Sequence, residues 1–172
     1  MVSTEAGITN HNERIFIGLG SNLEPRLDYL RAAVTRLQTI GNVIHKSSIY
    51  ETAPMGDISQ PDFLNAIVEI GSSLTPLELV TRLKSFEKEI GRKDRPRWHE
   101  REIDLDLLFY GDRVLQSTEL TIPHPEIPRR AFVLVPMSEL DPNFLHPVLN
   151  KSVSELLRDV DETTVRRSPL TL

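Results

Sequence analysis

The chain has 172 residues, a formal net charge of −5, 26% charged and 39% apolar residues, and no cysteine. That length fits one domain burying roughly 70% of its unfolded surface; the absent cysteines exclude a disulfide framework or thiolate metal site, and the acidic balance argues against a nucleic-acid binder. No apolar run approaches the ~20 residues that span a bilayer, and the first residues lack the pattern of a signal peptide, so a cytoplasmic or organelle-matrix protein, not bound to membranes, is expected.

A flexible tail is expected over residues 1–13, a single domain over 14–160 and a loose tail over 161–172. "RIFIGLGSN" (14–22) alternates Ile15, Ile17 and Leu19 with smaller residues and ends in turn residues, the pattern of a first strand. Its glycines lack the lysine and spacing of a Walker loop, and a strand-to-helix turn accounts for them. Pro25 opens a helix in which Leu27, Leu30, Val34 and Leu37 recur at helical spacing, ended by Gly41 and Asn42. "VIHKSSIYET" (43–52) reads as a second strand, and "APMGDISQPD" (53–62) as a long loop of the kind that often carries function.

"FLNAIVEIGSSL" (63–74) is a third strand. Leu64, Ala66, Val68 and Ile70 share one face, and Phe63, Asn65, Ile67 and Glu69 the other. "TPLE" (75–78) is a capping box, and Val80, Leu83, Phe86, Glu87 and Ile90 define one face of the helix it starts, closed by Gly91. Glu87 is the odd member of that face. The basic segment "RKDRPRWHER" (92–101) leads into a fourth strand, 102–110. A hairpin around Gly111-Asp112 and a short helix near 129–139 follow. The order β-α-β-β-α-β predicts a ferredoxin-like α+β sandwich: an antiparallel sheet with helices on one face and the ligand site on the other.

On the fourth strand Ile103, Leu105, Leu107 and Phe109 point one way, toward the helices, and Asp104 and Asp106 the other. Two carboxylates on one face suit Mg²⁺, which takes oxygen ligands together with substrate phosphates. The alternatives are salt bridges to Arg97 and Arg101, or an exposed sheet face. An arginine-rich loop beside the aspartates favours a phosphate between them, because phosphoryl transfer relies on charge neutralisation and arginine grips phosphate with a planar fork. Asn65, flanked by Phe63 and with Phe132 as a candidate opposing ring, suits a flat heterocycle; a hydrogen-bonded core asparagine is the other reading.

The blocks "GLGSNL", "SSIYETAPMGDISQPDFLNAIVEI", "FEKEIGR", "RWHEREIDLDLLFYG" and "TIPHPEIPRRAFVLVPMSEL", in this order, resemble the 6-hydroxymethyl-7,8-dihydropterin pyrophosphokinase family of folate biosynthesis, over about Ile15 to Leu157. The resemblance implies transfer of pyrophosphate from ATP to the pterin hydroxymethyl oxygen with release of AMP, two Mg²⁺ ions and a monomer. It implies that Asp104 and Asp106 are metal ligands and that Arg92 and Arg101 grip the phosphates. Glu87, Trp98, His124 and Arg130 would join the ATP site; Thr52, Phe63, Asn65 and Phe132 would form the pterin pocket; Asn22 and Gln60 would sit in mobile loops. Many members read Trp-Gly-Pro-Arg where this chain has Trp98-His99-Glu100-Arg101, and Glu119 stands where some relatives carry an arginine. Against this stand a two-metal nucleotidyltransferase, which needs a third carboxylate, and an RNA-binding module of similar topology, which needs a basic, aromatic sheet face.

Overall fold

A computed structural model describes residues 13–54, 59–96 and 99–172. The chain runs β1 (Ile15–Ser21), α1 (Arg26–Leu37), β2 (Asn42–Lys46), β3 (Tyr50–Thr52), β4 (Phe63–Gly71), α2 (Pro76–Ile90), β5 (Asp104–Tyr110), β6 (Leu115–Gln116), β7 (Thr121–Ile122), α3 (Ala131–Leu140), α4 (Val153–Leu157) and β8 (Val165–Arg167). The main sheet has the order β5-β1-β4-β3-β8, with β2 also pairing β4, and the pairs are antiparallel. This is the expected α+β arrangement. Among the described residues no helix is long and apolar enough to cross a membrane.

Helix α2 starts as its sequence dictates. The Thr75 side chain accepts from the Glu78 N–H, the Glu78 carboxylate answers the Thr75 N–H at 2.8 Å, and Pro76 fills the first turn. Gly91 ends the helix at φ 116°, a left-handed conformation that costs a glycine little. The second strand, expected as one piece, is two. β2 pairs one half of β4 and β3 the other, broken where Ser47 turns its hydroxyl to the Ile67 N–H at 2.9 Å.

Two apolar clusters sandwich the sheet. Ile15, Ile17, Leu19, Leu64, Val68 and Ile70 pack under α1 and α2 with Leu30, Leu37, Leu83 and Phe86. On the other face Phe16, Ile67, Leu108 and Phe109 pack with Leu134 and Met137 of α3 and Leu156 of α4. The face reserved for ligand is therefore covered over part of its area, and the site takes what remains. Phe109, assigned to the α1–α2 side by strict alternation, lies in the second cluster. The register explains it: Ile17 opposes Leu107 but Phe16 opposes Phe109, so Leu108 is an extra, bulged residue that reverses the alternation beyond it.

Two other expectations need correction. The hairpin is formed by β6 and β7 around residues 117–120, and not at Gly111, which makes a turn at φ 55° with its N–H on the Arg14 carbonyl at 2.8 Å. The final residues are not a loose tail, because β8 adds an edge strand to β3. A strand of three residues has too little periodicity to be seen in sequence. The tail expected at the N-terminus lies almost wholly outside the described residues.

Phe16 is fully buried and meets the rings of Phe109 and Phe144 at centroid distances of 6.3 and 5.1 Å. Phe16→Ala is expected to cost about 3–5 kcal/mol and Thr75→Ala about 1 kcal/mol in urea denaturation. Equal losses would show that the second cluster is not part of the cooperative core.

Candidate active site

The site is built on a floor of missing side chains. Within β1, Gly18 lies opposite Asp106 on one side and Ile67 on the other, and Gly20 lies between Asp104 and Asn65. A Cβ at Gly20 would sit 3.1 Å from the Asn65 Oδ1, so any larger residue here would press on the Asn65 amide. The two glycines belong to the strand, and not to the turn that the sequence suggested. Adjacent strands lie about 4.8 Å apart, so the carboxylates and the Asn65 amide face each other across about 10 Å of flat backbone.

A cavity of about 460 Å³ stands over this floor. Its walls include Thr52, Gln60, Phe63, Asn65, Arg92, Arg101, Asp104, Asp106, Arg130 and Phe132, ten of the residues singled out by sequence. His99 also lines it. Trp98 and Arg97 lie outside the described residues. Glu119 is exposed in the β6–β7 hairpin and is not among the lining residues.

On the carboxylate side, Arg92 reaches Asp104 Oδ1 at 2.9 Å and also pairs with Glu87. Burial pushes the Asp104 carboxyl upward and Asp106 adds to this, while Arg92, Arg101 and Arg130 pull it back. Glu87 is pushed up to about 7, first by burial, although the Leu105 N–H donates to it at 2.7 Å and Arg92 opposes the shift. This explains a carboxylate among apolar neighbours: it anchors the start of β5 and turns Arg92 toward Asp104. His124, on the loop after β7, is held below its ordinary range by burial, against the pull of Asp106. Its Nδ1 accepts from the Glu126 N–H at 3.2 Å, which assigns the ring proton to Nε2.

On the amide side, the Asn65 Nδ2 donates to the Thr52 hydroxyl at 2.7 Å, leaving Oδ1 over Gly20. Phe63 and Phe132 are half-buried, and the Arg130 guanidinium lies 5.5 Å from the Phe132 ring centre. Arg130 thus borders both halves of the cleft.

Two features carried no sequence signal that was used. Asn22, expected in a mobile loop, is fully buried and joins three loops. Its Nδ2 donates to Gln60 Oε1 and to the Pro61 carbonyl, both at 3.2 Å, and its Oδ1 accepts from the Arg101 N–H at 2.7 Å. The backbone of Arg101 is pinned next to the cleft by this bond and by its carbonyl, which accepts from the Asn22 N–H at 3.1 Å. Second, Arg95 makes two 2.7 Å bonds to the buried Glu102, whose carboxyl falls to about 2, chiefly through that pairing. A charged residue just ahead of "IDLD" was the available sign. Arg95 is consequently engaged inside the loop.

Two hard oxygen donors side by side fit Mg²⁺ when phosphate oxygens and water complete its shell. No cluster of three or more metal-ligating side chains occurs among the described residues, so the pair alone does not form a protein cage.

Because folding raises Glu87 from 4.5 to about 7, its contribution to stability is full below pH 4.5 and is lost as pH rises toward 7. Metal-free protein is therefore expected to melt at progressively lower temperature from pH 5 to pH 8, and Glu87→Gln to flatten that slope. Identical slopes for both proteins would refute the assignment.

The sequence matches a known family. Residues 16–142 match the model of 7,8-dihydro-6-hydroxymethylpterin-pyrophosphokinase (HPPK). The chain is 38% identical to a 2-amino-4-hydroxy-6-hydroxymethyldihydropteridine pyrophosphokinase of Aquifex aeolicus over 82% of this chain and 88% of that one. The Haemophilus influenzae protein of the same name is 36% identical over 90% and 98%. A crystal structure of wild-type Plasmodium falciparum HPPK-DHPS with pteroate superposes with a TM-score of 0.69 at 15% identity, covering 86% of this chain and 44% of that longer one. At that identity the superposition speaks to fold, and the sequence matches speak to kinship: the chain belongs to the 7,8-dihydro-6-hydroxymethylpterin-pyrophosphokinase family.

Proposed function

We infer that the protein transfers the pyrophosphoryl group of ATP to the hydroxymethyl oxygen of 6-hydroxymethyl-7,8-dihydropterin, releasing AMP, as a step of folate biosynthesis. The observation that carries this reading is the division of one cleft by the Gly18–Gly20 floor. A carboxylate pair accompanied by arginines lies on one side, and an amide sharing the cavity wall with two aromatic rings on the other. The first half suits a triphosphate and the second a flat heterocycle with donors and acceptors along its edge.

In this reading Asn65 and Thr52 orient the pterin edge, and Phe63 and Phe132 hold its faces. The hydroxymethyl oxygen then attacks the β-phosphorus in line. A bond forms from that oxygen to phosphorus, the bond to the oxygen bridging the α- and β-phosphates breaks, and the hydroxyl proton passes to solvent. Arg92, Arg101 and Arg130 stabilise charge on the transferring group and on AMP as it leaves. Neutral His124 supplies an N–H donor close to Asp106. Mg²⁺ on Asp104 and Asp106, with two ions as the family resemblance implies, would polarise the phosphoryl oxygens and ease loss of the hydroxyl proton. The reading takes the protein as a monomer, as the family resemblance implies, acting on small molecules.

Incubation with ATP, Mg²⁺ and the reduced pterin tests the reaction: AMP should appear in step with the pterin diphosphate, and ADP as the nucleotide product would overturn the reading. Asp104→Ala and Asp106→Ala should each lower turnover by at least ~100-fold while the protein stays folded, because removing either carboxylate also removes a like-charge repulsion. Turnover within a few-fold of the parent would sink the metal assignment. Arg101→Ala should lower kcat more than it raises KM for ATP, since its partner charge grows during transfer. An intact kcat with a raised KM would reduce Arg101 to a ground-state anchor.

A further inference from the structure

The family match ends at residue 142, but the chain goes on to build a wall next to the amide half of the cleft. β8 pairs with β3 so that Val165 opposes Thr52, Arg166 opposes Glu51 and Arg167 opposes Tyr50. The Arg167 guanidinium donates to the Ser48 hydroxyl at 2.6 Å and lies 3.7 Å from Glu139 on α3. Glu139 gathers the same region from the helix side. It accepts from the Ser48 N–H at 3.0 Å, the Ser48 hydroxyl at 2.8 Å and the Tyr50 hydroxyl at 2.9 Å. β8 therefore reinforces a junction between β3 and α3 that Glu139 also makes directly.

Those two elements supply opposite walls of the amide pocket. β3 ends at Thr52, whose hydroxyl sets the Asn65 amide, and α3 begins at Ala131 and Phe132. Behind them lies a second cavity of about 380 Å³, bounded by Thr52, Arg130 and Phe132 on the inner side and by Val160, Asp161 and Val165 on the outer. Thr52 and Phe132 border both cavities. Phe132 is half-buried between them and Thr52 is buried, so bonds made by their parent elements contribute to fixing their separation. Glu139 ties α3 to Ser48 and Tyr50 directly, and Arg167 braces that junction from β8 through Ser48 and Glu139.

We propose that Arg167 is a positioning residue for the pterin pocket, acting through Ser48 and Glu139 to hold Thr52 and Phe132 at the spacing that grips a flat heterocycle. The proposal rests on the assignment of Thr52, Asn65, Phe63 and Phe132 to the pterin. Arg167 is 69% exposed and makes no contribution to either apolar cluster, so its removal should leave the fold intact. A misplacement of about 1 Å can cost about 100-fold, and a loosened strand edge should give about tenfold.

The test measures equilibrium binding of the reduced pterin in the presence of Mg²⁺ and a non-hydrolysable ATP analogue, with analogue binding measured separately. Arg167→Ala is expected to weaken the pterin about tenfold and the nucleotide by less than about twofold, with Arg167→Lys restoring part of the loss through its charge. Asn65→Ala serves as the reference for the pocket itself. Unchanged pterin affinity in Arg167→Ala, beside a large loss in Asn65→Ala, overturns the inference and leaves the pocket standing. Normal pterin binding by Asn65→Ala overturns the pocket assignment, and the inference falls with it. Parallel loss of both ligands with a lowered melting temperature would mean that Arg167 serves the fold at large, which also overturns the proposal.

Discussion

Asp104 and Asp106 leave β5 on the same side, and their mutual repulsion inside a cleft organises what surrounds them. Asp104 is only about a third exposed, with 34% of its side chain open to water, so solvent screens it incompletely. Arg92, Arg101 and Arg130 answer that charge from three directions. Each is held by a different device: Arg92 by Glu87, Arg101 by backbone bonds to Asn22, and Arg130 by its place before α3 and over the Phe132 ring. β5 is also an edge strand of the sheet. Charged residues on an edge discourage pairing with other chains, so the same carboxylates protect the fold that displays them.

The flat strip along β1 is the complementary constraint. A strand in the middle of a sheet normally carries side chains above and below, and here one face is bare at Gly18 and Gly20. The charged half and the aromatic half share one floor with no ridge between them. Reaction between a ligand in one and a ligand in the other needs no protein nucleophile to span the gap.

Sequence reasoning reached the features whose cause is local. The capping box at Thr75, the left-handed Gly91 and the opposite faces of β4 follow from residues within a few positions of one another. Period-two alternation put Asp104 and Asp106 on one face of β5 and Phe63 with Asn65 on one face of β4, whereas Thr52, Gln60 and Arg130 were reached only through the family resemblance. What escaped depends on distant partners. The bulge at Leu108 is visible only in its pairing with β1, and it moved Phe109 across the sheet. β8 is ordered by β3 and by Glu139 and not by its own three residues. Asn22 looks like any turn asparagine until the loops 38 and 79 residues away close around it.

Arg92 binds two carboxylates at once, and that arrangement links ions of opposite sign. One guanidinium cannot serve Asp104 and an incoming phosphate at full strength. Under the proposed function, a divalent cation taking over Asp104 would loosen Arg92 from that partner and leave it tethered by Glu87. The arginine then becomes available to an anion at the moment when positive charge has entered the cleft. Cation and polyphosphate should accordingly bind as heterotropic partners, each raising the affinity of the other by the same factor. A polyphosphate arriving without its cation would meet a guanidinium still engaged with Asp104, and under the proposed function the cleft would favour the metal complex before any chemistry begins.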